Sequence, residues 1–167
     1  MGVLKQEIKV PAGKQPLWNV FADLRRLPDW LTLHVKFKSD VPALDEYTEG
    51  LRITQVISMM GMPNTIEWTV AEYSEQQSCR ITGTGMAGVQ VSFTFSVDEA
   101  DGVTVGRLDA EFQGQIIVGA LGKAIEKQAL KELRASLNKL ADVLVEEGVL
   151  TEDQRSTVQI DDPAPVG

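Results

Sequence analysis

The stretch VQVSFTFSV, residues 89–97, alternates apolar and polar side chains without a break. Strict alternation over this length predicts a β-strand with one buried side and one solvent-facing side. Asp101-Gly102, a hairpin signal, connects it to a second β-rich run over residues 103–113. Similar runs precede it at residues 33–38, 51–59, 66–70 and 79–84. Because no helical pattern separates these runs, they predict an antiparallel meander rather than a parallel sheet.

The last predicted strand changes its phase. Val103 and Val105 occupy odd positions, whereas Leu108 and Phe112 occupy even ones. A phase change beside Gly106 predicts a β-bulge, which bends a strand and increases the curvature of the sheet.

A helical period begins after Gly114. The apolar residues that recur at spacings of three and four are Val118, Leu121, Ile125, Ala129, Leu133, Leu137, Leu140 and Leu144. They predict one long amphipathic helix that ends near Gly148. Some 30 helical residues would run about 45 Å, which is long enough to cross the whole sheet.

The two ends of the chain complete the organisation. Residues 3–10 predict a first strand, and residues 16–21 predict a short helix. Asp23 could cap a second short helix running toward Trp30, which Pro28 would bend or end. Residues 1–148 are therefore expected to form one α+β domain. Residues 149–167 show no periodicity, and we expect them to form an acidic, disordered C-terminal tail.

The composition limits the classes of function. The 167 residues carry a formal net charge of −8, which argues against nucleic-acid binding because sequence-independent binding depends on basic patches. No apolar run approaches the roughly 20 residues that a membrane-spanning helix requires. The single cysteine, Cys79, excludes an internal disulfide, and no secretory leader pattern opens the chain. We expect a cytoplasmic protein without a membrane span.

A curved sheet that wraps one helix does not collapse fully onto it, so this organisation predicts an apolar cavity between them. The two short helices would close one end of that cavity. The residues expected to line it are Trp30, Phe37, Met59, Trp68, Phe93, Phe95, Phe112, Leu121 and Ile125. For each residue taken singly, packing in an ordinary core is the simpler interpretation.

Few residues offer covalent or metal chemistry. His34 is the only histidine, and alternation over residues 33–38 places it on the side of the strand away from Leu33, Val35 and Phe37. We therefore expect His34 on the surface, outside the cavity. Cys79 is expected to pack as a small apolar side chain. One histidine and one cysteine are too few for a metal site, so no metal is expected.

Other candidate motifs are weak. Residues 83–88, GTGMAG, fit the dinucleotide fingerprint, but an alternating strand follows them instead of a helix, so no nucleotide cofactor is expected. Asp109 and Glu111 are expected on the outside of the last strand. A slip of one residue would turn them inward, where burial would let a carboxyl act as an acid or base. Catalytic residues stay unassigned, and the neutral polar groups that could orient a ligand are Asn64, Thr84 and Gln113.

The order of these elements resembles the START-like or SRPBCC superfamily, whose helix-grip fold occurs in birch-pollen allergens and in polyketide cyclase/dehydrase-like proteins. The similarity covers roughly residues 3–146, with Pro11 after the first strand and Trp18 in the first short helix. It implies a helix-grip fold, in which a curved antiparallel sheet wraps a long C-terminal helix.

A narrower similarity involves four short segments. Residues 30–34, 61–64, 66–69 and 83–89 resemble a branch of small actinobacterial members. Proteins of that branch are described as the toxin half of type II toxin–antitoxin pairs or as polyketide-cyclase-like. The acidic segment beyond Gly148 departs from the compact members.

Three functions are compatible with these observations. The first is binding of a small hydrophobic, lipid-like or aromatic ligand without covalent chemistry, which the shortage of nucleophile and base combinations favours. The second is a toxin-like effector, whose output requires a protein target or an antitoxin partner. The third is a polyketide cyclase/dehydrase-like enzyme, which would need an ionisable pair inside the cavity.

Overall fold

One eight-stranded antiparallel sheet forms the body of the computed structural model, which describes residues 2–114 and 119–162. The strands lie in the order β2-β3-β4-β5-β6-β7-β1-β8. Their bounds are β1 Gly2–Val10, β2 His34–Phe37, β3 Arg52–Met59, β4 Met62–Ser74, β5 Ser78–Thr84, β6 Gln90–Ala100, β7 Val103–Gln113 and β8 Gln159–Asp161.

Four helices accompany the sheet: α1 Lys14–Phe21, α2 Leu27–Trp30, α3 Gly119–Glu146 and α4 Glu152–Arg155. The sheet curves around α3, which confirms the predicted α+β helix-grip fold with two short N-terminal helices. We call the side of the sheet that faces α3 the inner face and the opposite side the outer face. Val118, which the helical pattern included, lies outside the described residues.

The meander is built from the residues that alternate in the sequence. In β6, Val91, Phe93 and Phe95 are buried on the inner face, whereas Ser92 and Thr94 lie between them on the outer face. The α3 stripe packs against this face, and Ala129, Leu133, Leu137 and other apolar residues of the helix are fully buried. Helix and sheet therefore share one hydrophobic core, as the two periodicities predict.

The predicted bulge at Gly106 is wrong. The β6–β7 and β1–β7 registers run without a shift, and Val105 lies on the outer face. The apparent phase change arose because Thr104 is a buried polar residue, whose hydroxyl donates to the Ala12 carbonyl over 2.6 Å. At position 106 a Cβ would lie 3.1 Å from Ile8 Cγ2 and 3.3 Å from Leu17 Cδ2, so glycine there lets α1 approach the sheet.

An irregularity occurs instead in β2, where the pairing with β3 shifts between His34 and Lys36. The extra residue is Val35, which is 50% exposed. Because a bulge reverses the alternation, His34 and Phe37 both turn toward the inner face. The expectation that His34 faces away from the interior is therefore wrong.

The expectation of a disordered tail is also wrong for most of its length. Thr151 caps α4, and β8 then pairs antiparallel with residues 7–9 of β1. Ile160 is partly buried against the core, and Arg134 of α3 binds both carboxylate oxygens of Asp162 at 2.9 and 3.0 Å. These contacts are long-range, so they leave no periodic signal in the segment itself. Residues 163–167 lie outside the described residues.

Candidate functional site

The sheet has two ends, defined by where its strands start and stop, and these ends are closed differently. Because neighbouring strands are antiparallel, β3, β5 and β7 stop at the same end where β4 and β6 start. We call this end, together with β2 and α3 from Gly119 to Ile125, the mouth. At the other end α1 packs against β6 and β7 and closes the interior.

Large apolar side chains lie unusually exposed at the mouth. Met60 and Met62 in the β3–β4 turn are 51% and 68% exposed, and Met86 after β5 is 60% exposed. A hydrogen bond of 3.0 Å from the Met86 amide to Asn64 Oδ1 holds the β5–β6 connection against β4. Exposed apolar clusters of this kind mark binding surfaces, and methionine adapts to varied partners.

The packing of α3 loosens toward the mouth. Leu133 and Leu137 are fully buried, whereas Ile125 is partly buried and Leu121 is 51% exposed. Phe37 of β2 and Met59 of β3 are likewise only partly buried. Of the nine residues predicted to line a cavity, Phe37, Met59, Leu121 and Ile125 therefore lie at the mouth.

The other five predicted cavity residues lie deeper and are nearly or fully buried: Trp30, Trp68, Phe93, Phe95 and Phe112. Their rings pack on one another, with the Trp68–Phe93 centroids 5.1 Å apart and the Phe93–Phe95 centroids 6.3 Å apart. Trp30 packs against Phe95 and against Phe21 of α1, toward the end of the sheet that α1 closes. Ligand contact by these five residues stays a prediction.

Three polar side chains on the inner face form a hydrogen-bonded chain that starts at His34 in the mouth and runs inward. Trp68 Nε1 donates to Gln55 Oε1 over 2.9 Å, and Gln55 Nε2 lies 2.8 Å from His34 Nδ1. An indole N–H can only donate, so the amide oxygen must face Trp68 and the amide nitrogen must face His34. The amide nitrogen is itself only a donor. His34 Nδ1 is therefore an acceptor, and the neutral imidazole carries its proton on Nε2.

The surroundings of His34 favour the same neutral form. Desolvation lowers the pKa of His34 below its ordinary value of 6.5. Its ring centroid lies 4.7 Å from that of Phe37, while Gln55 beside it is fully buried. Among the described residues none accepts a hydrogen bond from Nε2, which leaves that donor available at the mouth.

The sequence contains one signal for the hydrogen bonds among His34, Gln55 and Trp68. Gln55 stands in a strand whose other inner-face positions, Ile53, Ile57 and Met59, are apolar. A polar residue at such a position needs a buried partner. The partner could not be inferred, because His34 reaches the inner face only through the irregularity at Val35.

The remaining predicted polar residues lie apart from the hydrogen-bonded side chains of His34, Gln55 and Trp68. Asn64 holds the Met86 amide, as described, and Thr84 and Gln113 are exposed at the strand ends. Asp109 and Glu111 lie on the outer face, opposite to Leu108 and Phe112, as expected. Burial raises the pKa of Asp109 on that face. Cys79 is fully buried, and desolvation raises the pKa of its thiol to about 12, which keeps it uncharged.

A groove of about 350 Å³ crosses the outer face, on the side of the sheet away from α3. Its floor is a cross-strand row in which Arg52, Thr69, Thr82, Ser92 and Glu111 are successive partners. It is polar and carries both signs of charge, so it differs in chemistry from the predicted apolar site.

Two further observations concern the described residues alone. Within residues 2–114 and 119–162, no group of three histidine, cysteine or acidic side chains is arranged to hold a metal ion. No helix in these ranges combines the length and apolar character needed to cross a bilayer.

Comparisons with known proteins agree with the architecture. A family model described as polyketide cyclase / dehydrase and lipid transport matches residues 1–145. Two Mycobacterium tuberculosis proteins, the uncharacterized protein Rv1546 and the toxin Rv0910, are each 28% identical over 143 residues, which is 86% of this chain and 99% and 98% of theirs. A START superfamily structure from Mycobacterium smegmatis has a TM-score of 0.65 at 16% identity, covering 87% of this chain and 97% of that one. At this identity the solved structure establishes similarity of fold alone.

Proposed function

The chain belongs to the polyketide cyclase/dehydrase and lipid transport family, and from this premise we propose that it binds a small hydrophobic molecule, lipid-like or aromatic, at the mouth between the sheet and α3. The observation that carries the proposal is the contrast along α3. The helix is fully buried at Leu133 and Leu137 but leaves Leu121 51% exposed. An apolar guest would cover this surface and gain roughly 25 cal/mol for each Å² removed from water.

The route of entry follows from the same contrast. The rings of Trp68 and Phe93 are closely packed, so a guest cannot reach them without movement of a neighbouring element. The first turns of α3 contain Gly119 and Gly122 and bury few side chains. Glycine weakens a helix by roughly 1 kcal/mol per residue relative to alanine. We expect these turns to move outward as the ligand enters.

Fluorescence of the neutral probe N-phenyl-1-naphthylamine tests the proposal. Leu121→Glu places a charge on the mouth at an exposed position, so the fold should survive while probe affinity falls about tenfold or more. Val103→Glu is the matched control, because Val103 is 40% exposed at the start of β7, at the end of the sheet away from the mouth. Equal affinity of both variants and the wild type would exclude the mouth as the binding site. Native mass spectrometry of freshly purified protein would identify any small molecule that copurifies.

A second candidate function has one specific observation in its favour. One relative, 98% of whose length is covered by the alignment with this protein, is named a toxin. We therefore propose, as the alternative, a toxin whose activity a protein antitoxin restrains. Induced expression in a bacterial host should then arrest growth, and co-expression of a small protein encoded beside it should restore growth. Undisturbed growth at high levels of folded protein would contradict this alternative.

A further inference from the structure

The fully buried polar side chains of the inner face are neutral. They are Gln6, Gln55 and Thr104. The buried charged residue among the described ones is Asp23, which caps the turn before α2 and pairs with Arg25 at 2.8 Å. Burying an ionised ligand group without an opposite charge costs many kcal/mol, so this face suits a neutral ligand.

The cations nearest in sequence do not change this conclusion. Lys123 and Lys127 of α3 are exposed. Lys36 in β2 is exposed too, and it is the His34 side chain of this strand that reaches the interior. No lysine or arginine is buried among the residues that the structure describes. A carboxylate or phosphate inside the mouth would therefore lack a partner.

Resting on the proposed function, we propose that His34 is the polar anchor of this site: its Nε2–H donates a hydrogen bond to a neutral oxygen acceptor, such as a ketone, ester or amide carbonyl, of an otherwise apolar ligand. Gln55 is the positioning residue, because its amide nitrogen occupies Nδ1 and so keeps the proton on Nε2. Trp68 fixes the orientation of the Gln55 amide.

The geometry of imidazole makes this arrangement directional. Nδ1 and Nε2 point away from each other across the ring, so a ring bound at Nδ1 from within the sheet presents Nε2 away from Gln55. His34 begins β2 at the mouth and pairs there with Ile57 of β3. An apolar ligand seated against Phe37 and Met59 would meet the donor at its edge. A polar donor among apolar walls sets which ligand binds and in which orientation.

Two naphthalenes of similar shape test the anchor: 2-acetylnaphthalene, which has a carbonyl oxygen, and 2-ethylnaphthalene, which does not. The measured quantity is the ratio of their affinities by NMR or calorimetric titration. His34→Phe removes the donor and should lower the preference for the ketone by roughly three- to tenfold, the value of one hydrogen bond. Lys36→Gln, on the exposed side of the same strand, should leave the ratio unchanged.

Gln55→Glu provides a readout that a merely structural role would not change. The carboxylate still accepts from Trp68 Nε1, but toward His34 it replaces a donor by an acceptor. The neutral histidine should then carry its proton on Nδ1, and Nε2 becomes an acceptor. Above the pKa of His34 in this variant, the preference should pass from the ketone to the alcohol 1-(2-naphthyl)ethanol. Because the sequence has one histidine, ¹⁵N spectra report the two tautomers without ambiguity.

The outcomes separate the anchor from the binding function. If both naphthalenes bind and His34→Phe keeps the wild-type ratio, the anchor is wrong while hydrophobic binding at the mouth stands. A wild-type histidine protonated on Nδ1 would also overturn the anchor. If neither naphthalene binds the wild type, the proposed function fails together with the anchor. Backbone amide spectra of each variant must match those of the wild type, which shows that the fold is retained.

Discussion

Gly83 lies directly opposite Trp68 in the β4–β5 ladder, and the indole ring occupies the space that a side chain at position 83 would need. A Cβ there would lie 2.8 Å from Trp68 Cε3 and 2.4 Å from Ile66 Cγ2. The GTG sequence that formally resembles a nucleotide-binding motif therefore serves close packing in the sheet. It also holds the ring whose N–H begins the chain to His34.

Gly83→Ala should destabilise the protein by about 1–3 kcal/mol, because the added methyl group overlaps two buried side chains. Gly106→Ala is the matched control: its Cβ would lie 3.1 Å from the nearest atom, Ile8 Cγ2, so the neighbours need to move less. Chemical denaturation of both variants gives the free energies of unfolding. Equal stability losses would mean that the Trp68 ring has room to shift.

Trp68→Phe should lower the free energy of unfolding by more than the loss of ring volume explains. The substitution leaves the buried Gln55 Oε1 without its donor, which adds about 1–3 kcal/mol. Trp30→Phe is a suitable comparison, since Trp30 is fully buried but its Nε1 has no acceptor among the described residues. The difference between the two unfolding free energies contains the Trp68–Gln55 hydrogen bond and the relief of the unpaired Trp30 N–H, both of which make Trp68→Phe the less stable variant. A Trp30→Phe variant that is as unstable as Trp68→Phe would show that ring volume dominates.

The pKa of His34 in the folded protein should lie below 6.5, because burial disfavours the imidazolium. Protonation would also break the Gln55 hydrogen bond at Nδ1. Between the two pKa values the unfolded chain binds more protons than the folded one, so the free energy of unfolding rises with pH. This stability is fully present above pH 6.5 and is lost as the pH falls through the folded pKa.

An NMR titration of the single histidine measures that pKa directly. Denaturation at several pH values then gives the slope, and subtracting the same curve for His34→Phe removes the contribution of the carboxyl groups. A folded pKa above 6.5 would contradict the hydrogen-bond pattern, because the imidazolium carries a proton on Nδ1, where Gln55 presents a donor.

The fold could be predicted from the sequence because its main elements have strong periods. Strand β6 alternates over its whole buried length, and α3 carries one continuous apolar stripe. Prediction failed where one residue changed the phase. Val35 adds a residue to a strand of only four, too short for the shift to show, and the buried Thr104 imitated a bulge that does not exist.

The candidate site was predicted in part for the same reason. Phe37 and Met59 follow from alternation, but His34 was placed on the wrong face because its orientation depends on the bulge. Gln55 was visible as a polar residue in an apolar row, whereas its two partners come from neighbouring strands. Pairing across strands is set by register, which the sequence of one strand does not contain.

The C-terminal extension supplies the last prediction. The family model ends at residue 145, yet residues 159–161 cover the edge of β1 at residues 7–9. An uncovered strand edge pairs readily with other chains. A variant that ends at residue 158 should keep the fold but lose about 1–2 kcal/mol, since Ile160 and the Arg134–Asp162 pair are removed. A variant that ends at residue 162 is the matched control, because it retains β8 and both contacts.

Amide hydrogen exchange distinguishes the two truncations at single residues. Amides of residues 7–9 that bond to β8 should exchange faster in the shorter variant, and light scattering should detect self-association at high concentration because the β1 edge is then free. The longer variant should behave as the full chain does. Identical exchange and scattering in both variants would mean that β8 contributes little to the closure of this edge, and that the exposed half of β1 is protected by its own charged residues, Lys5, Glu7 and Lys9, instead.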